Sequence, residues 1–98
     1  MALKILDTPT FRRVVKKLHP QDKKIVDNAI REIAVDPTIG QEKKGDLADV
    51  FVYKFKINKQ ETLMSYRLRP GKLDPTEIVL LSLGTYENFY SDLKRQAS

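Results

Sequence analysis

Four cations in the second half of the chain fall at spacings that could do chemistry. Lys54 and Lys56 are two residues apart within residues 50–57, and Arg67 and Arg69 are two apart within residues 61–69. Both stretches alternate apolar and polar residues with the period of a β-strand, so each pair lies on one side of its strand. If the two sides coincide, four positive charges share a concave surface. Such a surface suits a phosphodiester backbone, and preorganised cations stabilise charge that develops on a phosphorus centre. Tyr86 and Tyr90, four residues apart near the C-terminus, would stand at its edge, where rings beside cations stack on unpaired bases. A hydrolase with neither His nor Cys in such a site needs Tyr, Glu, Lys or a substrate group to move a proton. Ordinary roles remain open at this level: alternating lysines also make a solvated strand face, and Arg67 and Arg69 could pair with Glu61 or Glu77 at the surface. Tyr53 and Tyr66 share faces with Phe55 and Leu68, which places them in the core.

The elements that must position these residues can be read from periodicity. Leu3, Ile5 and Leu6 suggest a short first strand. Asp7-Thr8-Pro9-Thr10 supplies capping side chains and a proline suited to a helix start. Phe11, Val14, Val15 and Leu18 then recur at i, i+3, i+4 and i+7, one apolar helical stripe, with Arg12, Arg13, Lys16 and Lys17 on the other side. His19-Pro20 breaks this helix, and His19 reads as a residue at its C-terminal end. A second helix follows, with Ile25, Val26, Ala29, Ile30 and Ile33 on its apolar face, and Asp36-Pro37 ends it. Two helices joined so closely are expected to pack as an antiparallel hairpin. Residues 38–46 are polar, contain Gly40 and Gly45, and read as a loop.

After that loop the period changes to two. Phe51, Tyr53, Phe55 and Ile57 face one way, and Val52, Lys54 and Lys56 the other. Asn58-Lys59-Gln60 is a hairpin turn. Thr62, Met64, Tyr66 and Leu68 oppose Glu61, Leu63, Ser65, Arg67 and Arg69. Pro70-Gly71 turns the chain, and Ile78–Leu83 is apolar throughout but for Ser82, as expected of a central strand buried on both faces. Gly84-Thr85 opens a short last helix whose Phe89 and Leu93 face inwards. The expected fold class is α+β: an N-terminal strand and a helical hairpin packed on a small antiparallel sheet, with a short C-terminal helix, in a single domain spanning residues 1–98.

Composition narrows the functions available. The chain has 98 residues, 41% hydrophobic and 32% charged, an ordinary globular balance. No apolar run is long enough for a membrane span, and the N-terminus lacks the apolar stretch of a signal peptide, so a cytoplasmic protein without membrane contact is expected. Cysteine is absent and His19 is the lone histidine, which excludes disulfides, thiol catalysis and a thiolate or histidine-cluster metal site. No cofactor or metal is called for. The net charge of +5 favours polyanionic or acidic partners.

In this order, several segments resemble the RelE/ParE toxin superfamily. They are Lys44-Gly45-Asp46-Leu47 leading into Val50-Phe51-Val52-Tyr53-Lys54-Phe55-Lys56, then Leu63-Met64-Ser65-Tyr66-Arg67-Leu68, then Leu83-Gly84-Thr85-Tyr86-Glu87-Asn88-Phe89-Tyr90. The resemblance implies a toxin of a type II toxin–antitoxin pair, held silent by a cognate antitoxin. RelE-like and YafQ-like members are ribosome-dependent endonucleases that cut mRNA without a metal; ParE-like members inhibit DNA gyrase and are not enzymes. A non-catalytic RNA- or protein-binding module on the same fold is a third possibility. By the resemblance, Lys54 and Lys56 match paired strand lysines that act on the scissile phosphate. Tyr90 matches a C-terminal tyrosine that activates the ribose 2′-hydroxyl or stacks on RNA. Tyr86 falls where YafQ-like members have a catalytic histidine, and Glu61 near where they carry an acid. Leu63 stands where RelE-like enzymes have a catalytic arginine. Arg67, two pleats further along the same face, is the expected substitute, with Arg69 and Glu61 as RNA contacts.

Overall fold

Thr8 starts the first helix as its position suggests. In the computed structural model, which describes residues 3–43 and 49–85, its backbone is extended and its hydroxyl accepts the Phe11 N–H at 3.3 Å, with Pro9 in the first turn. The cap satisfies a donor that would otherwise face no acceptor. The elements are β1 (Lys4–Asp7), α1 (Pro9–Lys16), α2 (Pro20–Val35), β2 (Gln41–Glu42), β3 (Val50–Ile57), β4 (Gln60–Arg69) and β5 (Glu77–Gly84). His19 belongs to the start of α2 rather than to the end of α1: its carbonyl accepts the N–H groups of Asp22 and Lys23, each at 3.0 Å. The proline that breaks the first helix begins the second, because Pro needs no hydrogen-bond acceptor in a first turn.

The strands form one sheet in the order β1-β5-β4-β3-β2. Strands β2 to β5 pair antiparallel, and β1 adds to β5 in parallel. Both helices lie on one face, giving an α+β fold. Phe11 of α1 and Val26, Ala29 and Ile33 of α2 pack on Phe51, Met64, Tyr66, Leu68, Ile78, Leu80 and Leu83. Complete burial of a Val or Ile such as Val26 or Ile33 contributes about 1.5–3 kcal/mol. Part of the segment expected to be loop, Gln41–Glu42, is instead the edge strand β2, paired with Phe51 and Val52. Glycine at position 40 permits this: a Cβ there would lie 2.8 Å from the Tyr66 hydroxyl oxygen.

The sheet's other face is not simply solvated. Val50, Val52, Leu63, Val79 and Leu81 form a second buried apolar cluster across its middle. The pairing of β4 with β5 shifts by one residue between Ser65 and Tyr66, so that Leu81 is an extra residue on β5. The carbonyl of Leu81 accepts the Thr8 hydroxyl at 3.0 Å, and the same threonine thus caps α1 and pins this bulge. The expected final helix lies outside the described residues. Among the described residues, no helix is long and apolar enough to cross a membrane.

Candidate functional site

The register decides which cations can cooperate. Lys54 stands opposite Leu63 and Lys56 opposite Glu61, whereas Arg67 stands opposite Val50. All four cations of the sequence pattern are on one face, since directly paired residues share a face. They do not form one cluster. Leu63 and Arg67 are four residues apart along β4, about 13 Å, and the buried cluster around Val52 and Leu63 lies between them. The expected single cationic surface is therefore two surfaces, because alternation sets the side of a strand and leaves the position along it free.

At the hairpin end, Lys54 and Lys56 are exposed. The Lys54 ammonium contacts the Glu61 carboxylate at 3.3 Å, with 64% and 51% of the two side chains exposed, a pair that contributes little to stability. Leu63, directly beside Lys54, is 2% exposed. The turn itself is a two-residue loop with positive φ at both Asn58 (51°) and Lys59 (70°), the geometry that matches strand twist in tight hairpins. Asn58 Nδ2 donates to Asp22 Oδ1 at 3.1 Å and ties the hairpin tip to α2.

At the opposite end, Arg67, Arg69 and Lys72 line a cleft of about 760 Å³ with Glu42, Asp49 and Glu77. Lys72 pairs with Glu42 at 3.0 Å, and Glu77 stands opposite Arg69 in the strand pairing. Arg67 is flanked by Val50 on one side and Val79 on the other, and its Nε is buried with no hydrogen-bond partner among the described residues.

The two described tyrosines are structural. The Tyr66 hydroxyl donates to the Pro37 carbonyl at 2.7 Å and accepts the Gly40 N–H at 3.0 Å, locking the α2–β2 connection onto β4. Burial pushes its pKa up to about 12. Tyr53 donates to Glu32 of α2, which raises its pKa. The pairings of Tyr53 with Glu32 and of Lys72 with Glu42 join residues 21 and 30 apart and have no local sequence signal. Tyr86 and Tyr90 lie outside the described residues, as does Lys44-Gly45-Asp46-Leu47.

Residues 5–94 match the model of a family described as the ParE-like toxin of type II bacterial toxin–antitoxin systems. Among solved structures, an E. coli RelE toxin mutant in the free state is similar at a TM-score of 0.72 and 17% identity, over 98% of each chain. The toxin–antitoxin complex RelBE2 from Mycobacterium tuberculosis is similar at 0.69 and 22% identity, over 87% of this chain and 99% of that one. The intact E. coli RelBE toxin–antitoxin complex is similar at 0.68 and 16% identity, over 88% and 99%. A comparison with curated protein sequences finds no match.

Proposed function

The chain belongs to the ParE-like toxin family of type II bacterial toxin–antitoxin systems, and from that premise we propose that it is a toxin that cuts mRNA on the ribosome and is neutralised by a cognate antitoxin. The observation that carries this reading is the pair Lys54 and Lys56, exposed side by side on the open face of β3. In the proposed step the 2′-hydroxyl oxygen of one nucleotide bonds to the adjacent phosphorus and the P–O5′ bond breaks. The products are a 2′,3′-cyclic phosphate and a free 5′-hydroxyl. The 2′-hydroxyl proton leaves to a base, and the departing 5′-oxygen takes up a proton. Lys54 and Lys56 stabilise the charge on the pentacovalent phosphorus. Tyr86 or Tyr90 assists proton transfer, and the ribosome holds the message in an in-line geometry. Glu61 holds the Lys54 ammonium in place until the phosphate arrives. Arg67 has no part in bond breaking here, because it stands four residues along β4 from Leu63, the residue paired with Lys54.

One observation favours a second reading, a non-enzymatic inhibitor of DNA gyrase. The position beside Lys54, where nuclease relatives are expected to carry an arginine, holds the buried Leu63. Inducing the protein in cells, mapping mRNA 5′ ends and assaying supercoiling by purified gyrase separates the two. The nuclease reading expects codon-phased cuts in translated messages and unimpaired gyrase. Intact messages with blocked supercoiling would replace it with the gyrase reading.

A further inference from the structure

Arg67 stands on the open face with no charged residue opposite it on either neighbouring strand. Lys54 has Glu61, Lys72 has Glu42, and Arg69 has Glu77 as its cross-strand neighbour. Arg67 has Val50 and Val79 on either side, is half-buried, and keeps an unpaired Nε among the described residues. Holding a guanidinium partly out of water without an acceptor is costly. Its planar fork fits a carboxylate through two parallel N–H donors.

We propose that the cleft at this end of the sheet is a docking site for a single acidic side chain of a protein ligand, with Arg67 as its anchor. The proposal rests on the toxin–antitoxin reading only for the source of that side chain, an acidic segment of the antitoxin. The charges lining the cleft select the ligand. Among the described residues, Arg67, Arg69 and Lys72 are matched by Glu42, Asp49 and Glu77, so these side chains together supply no net charge to gather a polyanion.

The test is a titration of the full chain, labelled with ¹⁵N, following the Nε–Hε resonance of each arginine. The probes are N-acetylglutamate N-methylamide, inorganic phosphate and a short single-stranded oligoribonucleotide. The expected result is a saturable shift at Arg67 with the glutamate probe at millimolar concentration, and a smaller one with either phosphate probe. Arg67→Lys keeps the charge and loses the fork, and should weaken the glutamate probe at least tenfold, while the backbone spectrum reports that the fold is retained. No shift at Arg67 with the glutamate probe overturns the proposal, and so does a larger shift with the oligoribonucleotide. Failure of message cleavage in cells would remove the nuclease reading and leave this titration unchanged.

Discussion

Lys54 and Lys56 project from the hairpin end of the open sheet face into solvent, whereas Arg67 sits at the other end with its Nε buried. The residues are similar in charge and share a face, but their surroundings differ. The hairpin end is a two-residue turn held to α2 through Asn58 and Asp22. The arginine end lies over Tyr66, whose hydroxyl locks the chain at Pro37 and Gly40. An exposed, lightly paired lysine can meet a phosphate at little desolvation cost. A half-buried arginine presents a planar fork of fixed geometry. The comparison teaches that cations on one strand face divide by register and burial into groups with different surroundings.

The largest expected effect removes what divides the two ends. Leu63 is the boundary side chain, 2% exposed within the second apolar cluster. Leu63→Ala should cost about 2–5 kcal/mol in denaturant unfolding, through lost burial and the cavity left behind. A cost below about 1 kcal/mol would mean that the boundary is not packed.

Next in size is the brace under the arginine end. Tyr66→Phe leaves the Gly40 N–H without its acceptor and the Pro37 carbonyl without its donor, and should cost about 1–3 kcal/mol. The same hydroxyl gives an alkaline signature. Its folded pKa, near 12, lies above the usual 10.0, so folding favours the neutral phenol. Its contribution is complete below pH 10 and is lost as pH rises from 10 towards 12. Unfolding curves measured across that window should fall more steeply for the parent than for Tyr66→Phe. Parallel curves would remove Tyr66 as the cause.

The smallest effect belongs to the hairpin tip. Lys59 holds φ at 70°, a left-handed conformation that disfavours side chains other than glycine. Lys59→Gly should stabilise the fold by about 0.5–1 kcal/mol and raise the thermal midpoint by a few degrees. A loss of stability would show that the lysine side chain supports the turn.

Much of this is legible in the sequence alone. The stripe of Phe11, Val14, Val15 and Leu18 marked α1, Thr8 and Pro9 marked its start, and alternation put Lys54, Lys56, Arg67 and Arg69 on one face. Alternation repeats every two residues, so it could not say that Lys54 pairs with Leu63 while Arg67 pairs with Val50. Nor could it reveal the extra residue at Leu81, the parallel addition of β1, or the strand Gln41–Glu42, which depend on contacts distant in sequence. The partners of Tyr66 are a carbonyl and an amide, which any sequence supplies everywhere; only the fold brings Pro37 and Gly40 to that hydroxyl.

The central claim is that the hairpin end does the chemistry and the arginine end does not. Single-turnover cleavage of mRNA on programmed ribosomes, run on Lys54→Ala, Lys56→Ala and Arg67→Gln with thermal melts of each, tests it directly. Each lysine variant should melt within about 0.5 kcal/mol of the parent and cleave about 100-fold more slowly or worse. Arg67→Gln should lose less than about tenfold in cleavage, well short of the loss from removing a group aimed at developing charge. Lysine variants that cleave at the parent rate, or an Arg67→Gln that is as slow as they are predicted to be, would contradict the account.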